Sequence, residues 1–358
     1  MSDPLARHFP QLAASLPRRR LGSLPVPVER LPSLAAELGA GQLMVKRDDL
    51  SGDAYGGNKV RKLEYLLGDA LARACNAVMT FGAVGSNHLL ATAVYARQCG
   101  LRCYGVVTPQ PPAPAVAAKL RYHALLGTEL VLAEGMRGVE DCAAALLAAH
   151  PGGPSRVYRI PWGGSSWLGA VGFVAAALEL AQQLTEPPDY IYLANGTMGT
   201  SVGLAIGCRL LRWPTRIVAV RVAPFPLNNE EILERLFQST IAELVRRDPS
   251  FPALEDPWVN IGLRDEFLGD GYAIPTPGAL EAIELLRERA GLTLDETYTG
   301  KAMAALIADA RAGRLAGRRT LFWHSYSSRP FPDELAQAAV ERLPAALQPY
   351  LAADTTQR

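Results

Sequence analysis

Apolar residues in the middle of the chain fall into short unbroken runs, separated by stretches with helical spacing. The runs "AVMTF" (77–81), "LRCYGVVT" (101–108), "ELVL" (129–132), "RVYRI" (156–160), "YIYLA" (190–194) and "RIVAVRV" (216–222) read as strands. Between them, 89–98, 116–126, 139–149, 169–184 and 200–212 read as helices, the first ending at Gly100. Strands without polar alternation are buried on both faces, and strands alternating with helices form parallel sheets covered by helices. One more buried strand is expected at "TLFWH" (320–324). From about 223 to 278 the pattern is less regular, with a helix over 228–247; such stretches in compact domains often cover active sites. No fixed-period repeat is present, and "PQPPAP" (109–114) is a loop.

The chain has 358 residues, enough for about two domains. Its formal net charge of +1 gives no electrostatic reason to bind nucleic acid or an anionic membrane. There is no apolar run of spanning length, and none of signal-peptide length follows "LPRRR" (16–20). Cys75, Cys99, Cys103, Cys142 and Cys208 are scattered, without CxxC or metal-ligand spacing, so reduced thiols, a cytoplasmic protein and no metal are expected.

Ligands in open α/β sheets sit beyond the carboxyl ends of strands. Three polar clusters fall there: "GAVGSNH" (82–88), "NGTMGTSVG" (195–203) and "HSYSS" (324–328). The second offers Gly196, Gly199 and Gly203 with Thr197, Thr200 and Ser201, a phosphate cradle at a helix start. It has neither the GK[ST] ending of a P-loop nor GxGxxG spacing. Taken alone it is a weak signal, since some such Gly/Thr turns are plain strand–helix connections. "GDAYGGNKVRKLE" (52–64) places Lys59 after Gly56-Gly57-Asn58, in the first turn of a helix with Val60, Leu63, Leu67 and Ala70 on one face. A helix N-terminus lowers an amine's pKa, which suits Schiff-base chemistry. The bland alternative leaves Lys59, Arg61 and Lys62 facing solvent. Ser86 and Asn87 suit helix capping, or a carboxylate-binding rim. A phosphate cradle with an imine-forming lysine points to pyridoxal 5′-phosphate.

Seven stretches occur in order: "VKRDDLSG", "GGNKVRKLEYLLGDALA", "GAVGSNH", "IPWGGSSWLGAVGF", "NGTMGTSVGL", "GDGYAIPTPGALEAI" and "YTGKAM". Over roughly residues 20 to 330 they resemble the pyridoxal-phosphate D-cysteine desulfhydrase and 1-aminocyclopropane-1-carboxylate (ACC) deaminase family. The fold so implied is α/β, with two parallel-sheet domains of fold type II, tryptophan synthase β-like. A larger cofactor domain (1–60 plus 172–358) carries a smaller insert (61–171), and the family's homodimers bind the cofactor in the cleft. Lys59 matches the imine-forming lysine, Asn87 the asparagine beside the ring hydroxyl, and Ser86 a serine at the substrate. Gly196, Thr197, Met198, Gly199 and Thr200 match the phosphate loop, with Asn58 beside the lysine; Tyr272 and Tyr298 match two active-site tyrosines. Ser325 or Thr299 is expected at the ring nitrogen, and His88, Trp162 and Tyr326 at the substrate. His8, His123 and His150 are expected on surfaces or helices, without a role.

The chain departs from the family pattern at the pocket wall. Thr299 and His88 differ from the deaminases, whereas Gly85, Leu90, Tyr326 and Ser327 differ from the desulfhydrases; Met198 replaces a usual glycine. The implied activity is α,β-elimination on a small amino acid, giving a keto acid and ammonia. ACC deamination, racemisation, β-replacement and a non-catalytic binding protein are the alternatives.

Overall fold

The computed structural model describes residues 4–352. The chain divides into two compact units. The larger runs to Tyr65 and resumes over Ser165–Ser328; the smaller comprises Leu66–Gly164 and the chain from Arg329 onward.

The larger unit is built on a six-stranded sheet. Its strands are β1 (Val28–Arg30), β2 (Gln42–Lys46), β7 (Tyr190–Asn195), β8 (Arg216–Arg221), β9 (Ile261–Arg264) and β10 (Arg319–Trp323), in the order β1-β2-β10-β7-β8-β9. All pairs are parallel except β1 with β2. The smaller unit has a four-stranded parallel sheet of β3 (Ala77–Ala83), β4 (Arg102–Thr108), β5 (Glu129–Leu132) and β6 (Val157–Arg159), in the order β5-β4-β3-β6. Both sheets follow one plan. Strands are added outward on one side, β7-β8-β9 or β3-β4-β5, and a late strand returns to the other side, β10 or β6. Each sheet therefore reverses direction once, beside β7 and beside β3, and a crevice forms at the carboxyl ends of strands at such a reversal.

The expected strands and helices are present, with ends shifted by a few residues. The expected helix at 228–247 starts at Glu230, capped by the Asn229 side chain. Strands β1, β2 and β9 and the helices Pro277–Ala290 and Thr299–Arg311 lay outside the expected pattern. A second difference is the C-terminal tail. Leu343 and Leu347 are buried with Val116, Leu120, Leu130 and Val84, so the chain beyond Arg329 completes the smaller core and not the larger.

The helix Lys59–Ala72 is not one-faced. Arg61, Lys62 and Glu64 are as buried as Val60 and Leu63, so the solvent-facing reading of Arg61 and Lys62 fails. A buried charge needs partners. The Arg61 guanidinium bonds Asp48 and Glu179 at 2.9 Å; Glu179 also accepts from Lys46 (2.6 Å), and Asp48 from the Trp323 indole (2.7 Å). Glu64 takes Arg18 and the N–H groups of Leu21 and Gly22. His123 and His150 are likewise buried, against Thr128 and Tyr104 respectively. Burial and Lys119 push the His123 ring down to about 3. No helix among the described residues is long and apolar enough to cross a membrane. The five cysteines are free thiols.

Candidate active site

In the larger unit the reversal point lies between β7 and β10; the loop leaving β7 carries the expected phosphate-loop residues and the loop leaving β10 carries Ser325. The β10 loop is stitched to the approach to Lys59. Asn58 N–H donates to the Ser325 carbonyl (3.1 Å), and Gly56 N–H to the Ser327 hydroxyl (2.9 Å). Gly57 is required here. Its φ is +94°, and a Cβ would stand 2.8 Å from the Ser325 carbonyl oxygen. This is the reason for "GGN" before the lysine.

Lys59 opens its helix and donates to Asn58 Oδ1 at 2.8 Å, while Asn58 Nδ2 donates to Thr200 Oγ1 at 3.1 Å. One amide thus links the lysine to the first turn of the Gly199–Leu210 helix. Burial lowers the Lys59 amine to about 8, against the opposing pull of Asp295. Desolvation is the main cause of this shift.

The loop from Gly196 to Met198 ends in an anion-type environment. Gly199 N–H donates to Ser165 Oγ (3.1 Å), Lys62 Nζ donates to it (3.0 Å), and the Thr197 hydroxyl meets it at 2.7 Å. A Cβ on Gly199 would stand 2.7 Å from that oxygen and 2.8 Å from Lys62 Nζ. These groups meet at one oxygen at the positive end of a 12-residue helix, which is what a phosphate oxygen requires. Lys62 is held well below the usual lysine range by burial and by Lys59; a dianion would reverse that penalty. The residues present therefore fit pyridoxal phosphate. Gly203 is not part of the cradle. It lies inside the helix, where a Cβ would come within 2.3 Å of the Ala170 carbonyl oxygen.

Tyr272 and Tyr298 meet through their hydroxyls, ring centroids 5.9 Å apart. Burial raises Tyr272 to about 12 and Tyr298 well above its usual value, so both are neutral phenols near pH 7. Asp295 anchors Tyr298, its carboxylate accepting from the N–H groups of Tyr298 (3.1 Å) and Thr299 (2.9 Å). The Thr299 hydroxyl is committed to the same carboxylate at 2.6 Å and accepts from Asp295 N–H at 2.8 Å. The Asp295 charge acts on Lys59, Tyr272, Tyr298, Tyr326 and His324. Tyr326 is half-buried, its phenol pushed up to about 12 by burial.

The smaller unit reverses between β3 and β6, where the Ser86 loop leaves β3. Ser86 caps the Asn87–Gln98 helix, its hydroxyl accepting from Leu89 N–H at 3.3 Å. His88 is buried, with Nε2 2.8 Å from the Thr80 hydroxyl, which gives its ring a structural partner. Trp162 stacks on Phe81 at 5.9 Å and packs against this unit's core. The turn is tightly held. Gly85 N–H donates to Gln110 Oε1 (2.9 Å) and its carbonyl accepts from Lys119 (3.0 Å).

Sequence reasoning missed Lys62, Ser165 and Asp295. The signal for Lys62 was its place one turn after Lys59, on the same helix side. Ser165 stood unremarked in "IPWGGSSW". Asp295 reads as a local anchor three and four residues before the N–H groups it binds.

With this geometry in view, the fold and site define a class. Residues 20–325 match the pyridoxal-phosphate dependent enzyme family, and the chain belongs to it. Its cofactor is pyridoxal phosphate. Among named relatives, D-cysteine desulfhydrase of Salmonella choleraesuis (strain SC-B67) is 34% identical over 299 residues, 81% of this chain and 88% of that protein. The crystal structure of an ACC deaminase homologue superposes with TM-score 0.77 at 31% identity, covering 94% of this chain and 99% of the other. Processed threonine deaminase isoform 2 from Solanum lycopersicum, at TM-score 0.62, 16% identity and coverage of 94% and 88%, shares the fold.

Proposed function

We propose that this chain is a lyase that performs α,β-elimination on a small amino acid, releasing a keto acid and ammonia, with a substrate pocket altered from that of D-cysteine desulfhydrases. The observation that carries this reading is the Lys59 amine, lowered to about 8 and tied through Asn58 to Thr200 in the anion cradle. Lys59 would hold the cofactor's aldehyde carbon. Gly196, Thr197, Met198, Gly199, Thr200, Lys62 and Ser165 would hold its phosphate. Ser325 is favoured over Thr299 at the ring nitrogen, because the Thr299 hydroxyl is already used twice by Asp295. When bound, the cofactor supplies an electron sink next to the substrate Cα.

The chain's own groups do the rest. Lys59, once displaced by substrate, takes the Cα proton on Nζ as general base. The bond from Cβ to the leaving group breaks with its electron pair on the leaving atom. A phenol proton from the Tyr272–Tyr298 pair goes to that atom, in keeping with two tyrosines that stay protonated. Ser86 and Asn87 bind the substrate carboxylate at the start of their helix. Lys59 then regains its place, freeing the product as an enamine, and the proton it took restores the phenol; the enamine tautomerises and water releases keto acid and ammonia.

The test is reduction with borohydride after loading with pyridoxal phosphate, peptide mapping, and a screen of D- and L-amino acids for keto acid. The label is expected on Lys59, with keto acid formed from a small amino acid carrying a β leaving group. A label on another lysine removes the central claim. Exchange of the Cα proton without keto acid would make the enzyme a racemase.

A further inference from the structure

Lys301 is a further buried lysine near this site, and no step above uses it. It stands in the first turn of the Thr299–Arg311 helix and is wholly buried. That placement is unfavourable twice over. Burial strips water from the ammonium, and the positive end of the helix repels it. Among the described residues it makes no ion pair. Its Nζ donates instead to two backbone carbonyls, those of Leu268 (2.7 Å) and Gly271 (3.0 Å). Burial lowers its pKa, with Asp295 and Asp270 opposing.

Those carbonyls belong to the loop between β9 and the Pro277–Ala290 helix. The loop has little regular structure to hold it: Gly269, Gly271 and Ala273 have positive φ of 66°, 154° and 58°. Tyr272 sits among them, directly after Gly271, and its phenol meets that of Tyr298. Tyr298 in turn is the residue from which the Lys301 helix starts. A single helix start therefore holds one phenol through its own backbone, and the loop of the other through a lysine.

We propose that Lys301 is a positioning residue. Its ammonium pins the Leu268–Gly271 turn to the first turn of the Thr299–Arg311 helix and so fixes the Tyr272 phenol against Tyr298. The inference rests on the reading of the tyrosine pair above. It explains why a costly buried cation is placed where stability alone would favour an apolar residue.

Lys301→Met keeps the stem and removes the ammonium. In the loaded enzyme, hydrogen exchange of the amides in 268–273 is expected to quicken about 10-fold or more, as loss of a charged hydrogen bond implies, with the rest of the unit unchanged. The visible absorbance of lysine-bound cofactor should persist. kcat should fall by about 10²-fold, the order of an ångström-scale misplacement, with KM little changed. Adding Lys301→Met to Tyr272→Phe should cost nothing further, because the lysine acts only through that phenol. Unchanged loop exchange, an unchanged kcat, or a further full loss in the double variant would each overturn the proposal. If Tyr272→Phe alone keeps full kcat, the catalytic reading of that tyrosine is what fails, and exchange in 268–273 alone then decides the clamp. Should Lys301→Met not fold, Lys301→Gln keeps two N–H donors on a shorter stem. Its loop exchange should be intermediate, and exchange at the parental rate overturns the clamp.

Discussion

Tyr298 and Tyr272 are both protonated and share one hydrogen bond, so removing either hydroxyl changes the other phenol's surroundings as well. Tyr298→Phe keeps the ring, which packs beside the larger core, and deletes the donor. If that hydroxyl delivers the proton to the leaving group, kcat falls by about 10²–10⁴-fold, and the absorbance of lysine-bound cofactor is retained. Steady-state kinetics on both single variants will assign the step: a full kcat for Tyr298→Phe with a dead Tyr272→Phe gives the proton to Tyr272. At this scale the sequence was readable where a residue's setting is local. Lys59 announced itself because Gly57 must adopt positive φ against the Ser325 carbonyl. Lys62 and Ser165 did not, because their pairing joins positions 103 residues apart. The lowered pKa of Lys59 was anticipated, but its main cause, burial, depends on neighbours that no local pattern reveals.

Among the elements, the turn between β7 and the Gly199–Leu210 helix holds a non-glycine residue in the left-handed region. Met198 holds φ +66° there and is 2% exposed. A left-handed non-glycine residue costs about 1–2 kcal/mol, whereas burying a methionine side chain contributes about 1.5–3 kcal/mol. Burial wins, so Met198→Gly is expected to destabilise the protein by about 1 kcal/mol and lower the unfolding temperature by a few degrees. Calorimetry on the two proteins checks this; a higher unfolding temperature for the glycine variant would mean that strain dominates. The parallel strands were legible because their apolar runs have no alternative use. Strand β2 was not, since "QLMVK" ends in Lys46, a residue usually assigned to surfaces. Here Lys46 is buried and paired with Glu179, 133 residues away. Gly203 was misread for a similar reason: its missing side chain serves helix packing and not the ligand.

At the scale of the molecule, the smaller unit draws its core from both ends of its sequence. Leu343 and Leu347 are buried against Val116 and Leu120, with Val340 and Tyr350 beside them. Burying each leucine contributes about 1.5–3 kcal/mol. A chain ending at Ser328 is therefore expected to unfold at lower temperature and to bind a hydrophobic dye; equal melting of the truncated and full chains would remove the tail from the core. The tail escaped the sequence reading because it packs through short 3₁₀ turns such as Val340–Arg342 and Ala345–Leu347, which carry no 3.6-residue rhythm.

That late strands and tail complete both units also governs synthesis. On the ribosome β2 and β7 emerge long before β10, the strand that lies between them, and the Val116–Leu120 face emerges long before Leu343. The nascent chain must therefore carry two open sheet edges until β10 emerges, and an uncovered apolar face until Leu343 does. Such exposure is where aggregation begins. The larger sheet cannot close before β10 has emerged, and the smaller core cannot close before Leu343 has, although the strands of the smaller sheet are complete by Arg159.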